Sequence, residues 1–394
     1  MEKPLEIIES DAGAAKKKLT LSQRMRIHVR RHMLKKRSYL PPLILSMVLI
    51  IAMLLISFFP IHTSNEPMAE EYPNTGFQLS FVGDVMLGRY IGIYGEKYGY
   101  DSYFSSVSPI WSNSDYVIAN LESSVLLGEE GDYEKDEKNI HLYSTPSAVL
   151  SLLNNGINAI TFANNHSHDY GMQAFLEATA FFDDIGLNYS GTTTKVDDRG
   201  EKILSTTLTC ADGTNVCFIG VTNVIYEGLG TGSGVLTSGN GGLYSAILES
   251  KTDNVHDLTV VYVHWGKEYN TLPSNAQVEM AHKLVDAGAD IVIGSHSHCL
   301  QPIEKYGNGI IFYSLGNFIM DQNNTFTRDS VIVQYNKSAD GRRYFEIIPL
   351  RITDGVPAVT TDSFYCARIR TILTKFLHDS EYEVDSSGRI IIEY

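Results

Sequence analysis

Ile291-Val292-Ile293-Gly294-Ser295-His296-Ser297-His298 is the stretch on which the reading of this chain turns. A short β-branched apolar run is the composition of a buried strand. Here it ends at once in two imidazoles one residue apart. The same arrangement recurs upstream. The run Gln78–Gly83 leads into Gly83-Asp84-Val85-Met86-Leu87-Gly88-Arg89, and Tyr116–Ala119 leads into Asn120-Leu121-Glu122. Ala159–Ala163 leads into Asn164-Asn165-His166-Ser167-His168-Asp169-Tyr170-Gly171, and Leu258–Val263 into His264-Trp265-Gly266-Lys267-Glu268. Val216–Val221, Ile310–Tyr313, Val331–Gln334 and Tyr344–Ile352 read as further strands. Ala148–Asn155, Met172–Ile185, Ser274–Ala287 and residues 363–378 read as helices. Short strands alternating with helices make an α/β domain. In such domains sites are built at the carboxyl ends of the strands.

The strand-end clusters share a chemistry. Two carboxylates, an amide and three or more imidazoles converge on one sheet edge. Mixed oxygen and imidazole donors suit Mn, Fe or Zn, whereas an all-oxygen set suits Mg or Ca. A shared carboxylate holds two such ions about 3.5–4 Å apart, and the pair activates water for in-line attack. Each element alone is ambiguous: an Asp after a strand is often a turn or helix cap, and a Glu such as Glu122 is often a solvated charge. Five clusters in this order carry the argument. Apart from Cys299 no cysteine lies among them, so a thiolate-rich structural zinc site is not indicated.

Charge divides the 394 residues. The first forty hold Lys16-Lys17-Lys18, Arg30-Arg31 and Lys35-Lys36-Arg37, yet the whole chain carries a formal −15. An acidic main domain excludes a nucleic-acid partner. Leu40–Ile61 contains no charged residue, and about 20 apolar residues span a bilayer as a helix. The flanking cations predict a basic cytoplasmic tail (1–39), a single-pass anchor in the cell membrane (40–61) and an extracytoplasmic domain. The apolar run exceeds the roughly 7–15 residues of a signal-peptide core and no A-x-A-like site follows, which favours a retained anchor. Residues 62–76, polar with two prolines, read as a linker. The main domain is expected over 77–335, with a C-terminal extension over 336–394. Cys210 and Cys217 flank a turn-like segment and read either as a cross-hairpin disulfide or as two thiols.

The order Gly-Asp, carboxylate, Asn-His, His, Gly-x-His-x-His resembles the calcineurin-like metallophosphoesterases. The wording GDVMLGR, NLESS, ANNHSHDYG, HWGKEY, AGADIVIGSHSHCLQPIE and YSLGNFIMDQ, spread over about 77–335, resembles the CapA family of poly-γ-glutamate capsule biosynthesis in bacteria. The resemblance implies an α/β/β/α sandwich preceded by one N-terminal transmembrane helix. It implies Asp84 and His298 on one metal, Glu122 as a bridge, and Asn165, His264 and His296 on a second metal. His166 would donate a proton or stabilise an oxyanion. Asp169 would orient His166 or cap the helix near Met172. Arg89 would meet an anionic substrate group, or form a surface salt bridge. Asn317 would lie at the site edge or serve a turn.

Three positions depart from the pattern. Met86 stands where Asp-x-His has its histidine, Ser297 where proline is usual, and His168 where leucine is usual. The function implied is capsule synthesis or export by a metal-dependent hydrolase or transferase. The alternative is a non-catalytic subunit that binds polymer or assembles the synthase. The partners implied are the cytoplasmic membrane, the anionic polymer or another envelope substrate, and membrane synthase subunits. An acidic domain repels a polyanion at long range, so bound metal or Arg89 would supply the local attraction.

Overall fold

The computed structural model describes residues 20–34, 44–51, 75–226, 229, 232–252, 255–338 and 340–394. The chain divides into two units, Met1–His62 and Thr63–Tyr394. The first contains a helix over Leu21–Leu34, entered through reciprocal bonds between Thr20 and Gln23, and a helical stretch at 44–51. Among the described residues no helix is long and apolar enough to cross a membrane. Of the anchor expected at 40–61 only 44–51 is described, with Ile44, Leu45, Met47, Val48, Leu49, Ile50 and Ile51 exposed. The remainder of that segment, and all but the last two residues of the 62–76 linker, lie outside the described residues.

The second unit holds two large sheets. The strands of the first are β1 (Thr75–Val85), β2 (Tyr116–Leu121), β5 (Ala159–Thr161), β6 (Asn188–Ser190), β13 (Asn317–Ile319), β14 (Asp329–Ser338), β15 (Arg343–Thr353), β16 (Val356–Val359), β17 (Glu383–Val384) and β18 (Ile390–Glu393). Their order is β17-β18-β15-β14-β1-β2-β5-β6, with β13 beside β1 and β16 beside β15. The second sheet runs β11-β12-β10-β9-β8-β7. Its strands are β7 (Thr206–Thr209), β8 (Asn215–Thr222), β9 (Leu258–His264), β10 (Ile291–Ser295), β11 (Leu300–Tyr306) and β12 (Gly309–Leu315). A parallel pair, β3 (Ser124–Val125) and β4 (Tyr143–Ser144), stands apart.

Side-chain alternation explains the layering. In β9 every residue is buried, as expected of a strand covered on both faces. Val260 and Tyr262 point into a core shared with Leu79 and Phe81 of the first sheet. Val261 and Val263 point the other way, to Ile247 of helix α4 (Leu243–Thr252) and Ala281 and Leu284 of α5 (Asn275–Ala287). The outer face of the first sheet is covered likewise. Ile91 of α1 (Arg89–Tyr98), Leu152 of α2 (Pro146–Asn154) and Phe175 and Phe182 of α3 (Gly171–Asp184) pack with Val82, Val117 and Ile160. Helix, sheet, sheet and helix therefore form four layers. Local signals set the helix ends: Thr145 caps α2 with Pro146 at its first position, and Ser274 and Gln277 form a capping box on α5.

The border expected at residue 335 falls inside β14. Strand β15 pairs with β14 along nine residues from Lys337↔Arg343 to Asp329↔Arg351, and β18 pairs with β15. Residues 336–394, the expected C-terminal extension, thus continue the first sheet. Helix α6 (Ser363–Leu373) sends Ile369 and Leu373 into the core between the sheets. The four cysteines are buried thiols, not disulfides. Cys210 belongs to the inter-sheet core and Cys217 to the outer core, so the two thiols lie on opposite sides of the sheet.

Candidate metal centre

Strand register brings the polar clusters together. Asp84 lies level with Asn120 across β1 and β2, and Asn120 level with Thr161 across β2 and β5. His264 lies level with Ser295 across β9 and β10. The Tyr262 hydroxyl donates to the Val82 carbonyl at 2.6 Å and ties the two sheets just before these ends. Gly83 is required before Asp84, because a Cβ there would come within 1.9 Å of the Gly316 carbonyl oxygen. After β10 the backbone enters the left-handed region at His296 (φ 88°) and His298 (φ 55°). Such strain costs about 1–3 kcal/mol per non-glycine residue and clusters at functional sites.

Two donor groups result, Asp84/Glu122/His298 and Glu122/His264/His296, each with donor atoms within 4.8 Å of one another. All are buried. Glu122 Oε1 is 3.7 Å from both His264 Nε2 and His298 Nε2. Asn165 Oδ1 joins the second group, 2.6 Å from His264 Nε2. The outer ring nitrogens are held from behind. His298 Nδ1 lies 2.9 Å from Asn317 Oδ1 and 3.3 Å from Asp84 Oδ2, and His264 Nδ1 lies 3.0 Å from Ser295 Oγ. Such outer partners fix the ring orientation a metal requires. Asn120 donates to Asp84 Oδ1 at 2.8 Å, and Asn164 donates to Asn120 Oδ1 at 3.1 Å.

The donor set fits a divalent cation on two counts. Glu122 Oε2 and His296 Nδ1 are buried without a hydrogen-bond partner, a costly state for a polar atom. The charges are also unbalanced. Burial, then the nearby Asp84, pushes the Glu122 carboxyl well above its usual range. Burial and then the neighbouring His298 bring His296 down to about 4, and burial and then His296 push His264 well below the usual imidazole range. His298 goes the other way, to about 9: burial opposes its charge, but Glu122 and then Asp84 outweigh it.

His166 stands beside this cluster. Its Nδ1 lies 2.7 Å from Asp169 Oδ2, which also accepts from the Leu142 N–H at 2.6 Å. Asp169 therefore orients His166. It does not cap the following helix, whose N-cap is Tyr170 with no side-chain bond. Burial holds His166 below its ordinary range, against the hydrogen bond it donates to Asp169. His168 faces another carboxylate, with Nδ1 2.9 Å from Asp136 Oδ2, and is in neither donor group. Arg89 is ion-paired with Asp321. Gln322, the neighbour of Asp321 in the chain, reaches the Tyr269 hydroxyl at 3.4 Å, and the Tyr269 ring lies 6.2 Å from that of His298. Met86 is fully buried in the outer apolar core, its sulfur accepting the Gly88 N–H at 3.1 Å. Sequence reasoning did not find Lys138, whose ammonium donates to Asp169 and to the Asn165 carbonyl. No motif signals it.

A family model described as bacterial capsule synthesis protein PGA_cap matches residues 78–322. The capsule biosynthesis protein CapA of Bacillus anthracis is 33% identical over 365 residues, covering 91% of this chain and 87% of its own. The PGA biosynthesis protein CapA of Bacillus subtilis is 35% identical over 337 residues, covering 84% and 86%. Among solved structures, a 5'-nucleotidase from Candida albicans aligns at 13% identity with a TM-score of 0.41, over 80% of this chain and 56% of that one. The family match contains all six candidate metal donors, and the two Bacillus relatives extend the similarity over most of the chain, which belongs to the PGA_cap family of bacterial capsule synthesis proteins.

Proposed function

We propose that this protein acts in poly-γ-glutamate capsule synthesis or export as a metal-dependent hydrolase or transferase, anchored in the cytoplasmic membrane through Leu40–Ile61 with its domain outside. The names of the Bacillus relatives support the capsule role. The metal-dependent role rests on one observation: Glu122 stands between two donor groups with a carboxylate oxygen that no protein atom satisfies. Asp84, Glu122 and His298 would hold one cation, and Glu122, Asn165, His264 and His296 the other, with Mn, Zn or Fe matching the mixed donors. Such a cation would polarise the carbonyl or phosphoryl oxygen of an amide or phosphoester.

The chain's own residues do the rest. Asp169 at 2.7 Å requires the hydrogen on His166 Nδ1, so Nε2 is the atom left to exchange a proton with the reacting group. Asn165, which precedes His166 in the chain, contacts His264 Nε2 at 2.6 Å. The Arg89–Asp321 pair and Tyr269 form the rim at which the polymer or another envelope substrate would arrive.

A second reading, a non-catalytic subunit that binds polymer or a membrane synthase, draws on Met86. Its burial in an apolar core leaves the Asp84 side with three protein donors. Complementation of a capsule-deficient host separates the two. With His166→Ala the protein should keep its metal and its fold while capsule output is lost. Normal capsule with that variant, together with no turnover of polyglutamate or phosphoesters by the purified protein with Mn or Zn, rejects the enzyme.

A further inference from the structure

The loop between β3 and β4 plays no part in the mechanism above, yet it delivers a cation into the site. Lys138 sits on that loop with its side chain only 14% exposed. Its ammonium donates to the Asn165 carbonyl at 2.5 Å and to Asp169 Oδ1, and lies 3.2 Å from His166 Nδ1. The Tyr226 ring covers it at 4.4 Å. Asp136, on the same loop, accepts from the Tyr226 hydroxyl at 2.7 Å and meets His168. A buried ammonium persists only when paired and hydrogen-bonded, and Lys138 is paired with groups that have a function.

We propose that Lys138 is a positioning residue that locks Asn165 and His166 into one arrangement, a role that rests on the metal-centre reading above. The donor count makes the case. His166 Nδ1, 2.7 Å from a carboxylate oxygen, carries its own hydrogen and so takes none from Lys138. The lysine hydrogens go to Asp169 and to the Asn165 main chain. One ammonium thus grips the backbone beside the amide that contacts His264 and the carboxylate that orients His166. Without it Asp169 keeps two of its three donors and the Asn165 carbonyl loses its partner. The imidazole then gains a second orientation without any loss of a metal donor.

The test uses the full chain in detergent, labelled with 15N-histidine and loaded with Zn, which is diamagnetic. Long-range 1H–15N spectra report the His166 tautomer in wild type, Lys138→Met and Lys138→Arg. His166 should be a single Nδ1–H form in wild type and a shifted or divided signal in Lys138→Met. Zinc content and cooperative melting should persist in that variant, while capsule output in the complemented host falls about tenfold or more, the usual cost of removing an outer support. Lys138→Arg, which keeps a donor for both oxygens, should restore part of both readouts. A His166 signal in Lys138→Met identical to wild type overturns the proposal, as does a loss of output that arginine does not relieve. Should Lys138→Met fail to fold, Lys138→Gln is judged by the same His166 criterion. If His166→Ala is silent in cells the catalytic reading fails, while the His166 spectrum still decides the role of Lys138.

Discussion

On one side of Glu122 stand Asp84 and His298; on the other stand His264, His296 and Asn165. The first side is rich in charge. Its carboxylates draw His298 up to about 9, so at neutral pH that side holds a proton where a cation would sit. The second side is rich in nitrogen and already neutral, with His296 at about 4. The first side has also lost a neighbour to packing, since Met86 lies in the apolar core. The contrast teaches that a shared carboxylate does not make two equal sites. The imidazoles of the nitrogen-rich side give up no proton to a cation, whereas His298 must; the shared Glu122, also raised, belongs to both sides.

The largest effect is expected from removing what the two sides share. Glu122→Gln should weaken divalent-metal binding roughly 100-fold or more on both sides, beyond the loss of an outer partner. Elemental analysis after dialysis measures it, and retention of one full equivalent would show that the sides are independent. Next, His296→Ala should abolish the tighter equivalent, whereas His298→Ala should leave it and remove the weaker one. The reverse pattern in a zinc titration inverts the ranking.

Protonation offers a sharper contrast. His298 is raised above its ordinary value, so its proton is present below about 9 and competes with the cation. Binding at that side should strengthen as pH rises from 7 towards 9 and release about one proton per ion at pH 7. His264 and His296 are lowered and hold no proton over that window, so at their side only the shared Glu122, itself raised, contributes, and the dependence should be weaker than at the His298 side. Calorimetry in buffers of different ionisation enthalpy reads both; equal proton release for the two equivalents would erase the distinction.

Met86→His puts an imidazole two residues after Asp84 in the chain and should raise the second equivalent of metal. Loss of the buried methionine should cost about 1–3 kcal/mol in melting experiments. The smallest effect belongs to His168→Ala. Its ring faces Asp136 and Phe175, so metal content should stay at the wild-type value. A drop would place His168 nearer the centre than its contacts do.

The strands that carry the clusters, the helices α2, α3, α5 and α6 and the clusters themselves were legible in the chain itself, because hydrophobic period and capping are local properties; α1, α4 and short strands such as β6 and β7 were not. The five polar clusters that converge at the centre each follow an apolar run that the period marks as a strand. Other features depended on which distant segments meet. That residues 336–394 complete the first sheet follows from β15 and β18 finding β14, a pairing no local pattern specifies. That Cys210 and Cys217 cannot join follows from which side of the sheet each faces. His166 and His168 are the same residue type two positions apart, yet one turned to Asp169 and the other to Asp136. Lys138 lies 28 residues before His166 in a loop without a motif, and only the folded loop sets its ammonium against both Asp169 and the Asn165 carbonyl. Donor types are written in the chain; which donor meets which partner is decided by packing, because a buried polar group settles wherever the fold can satisfy it.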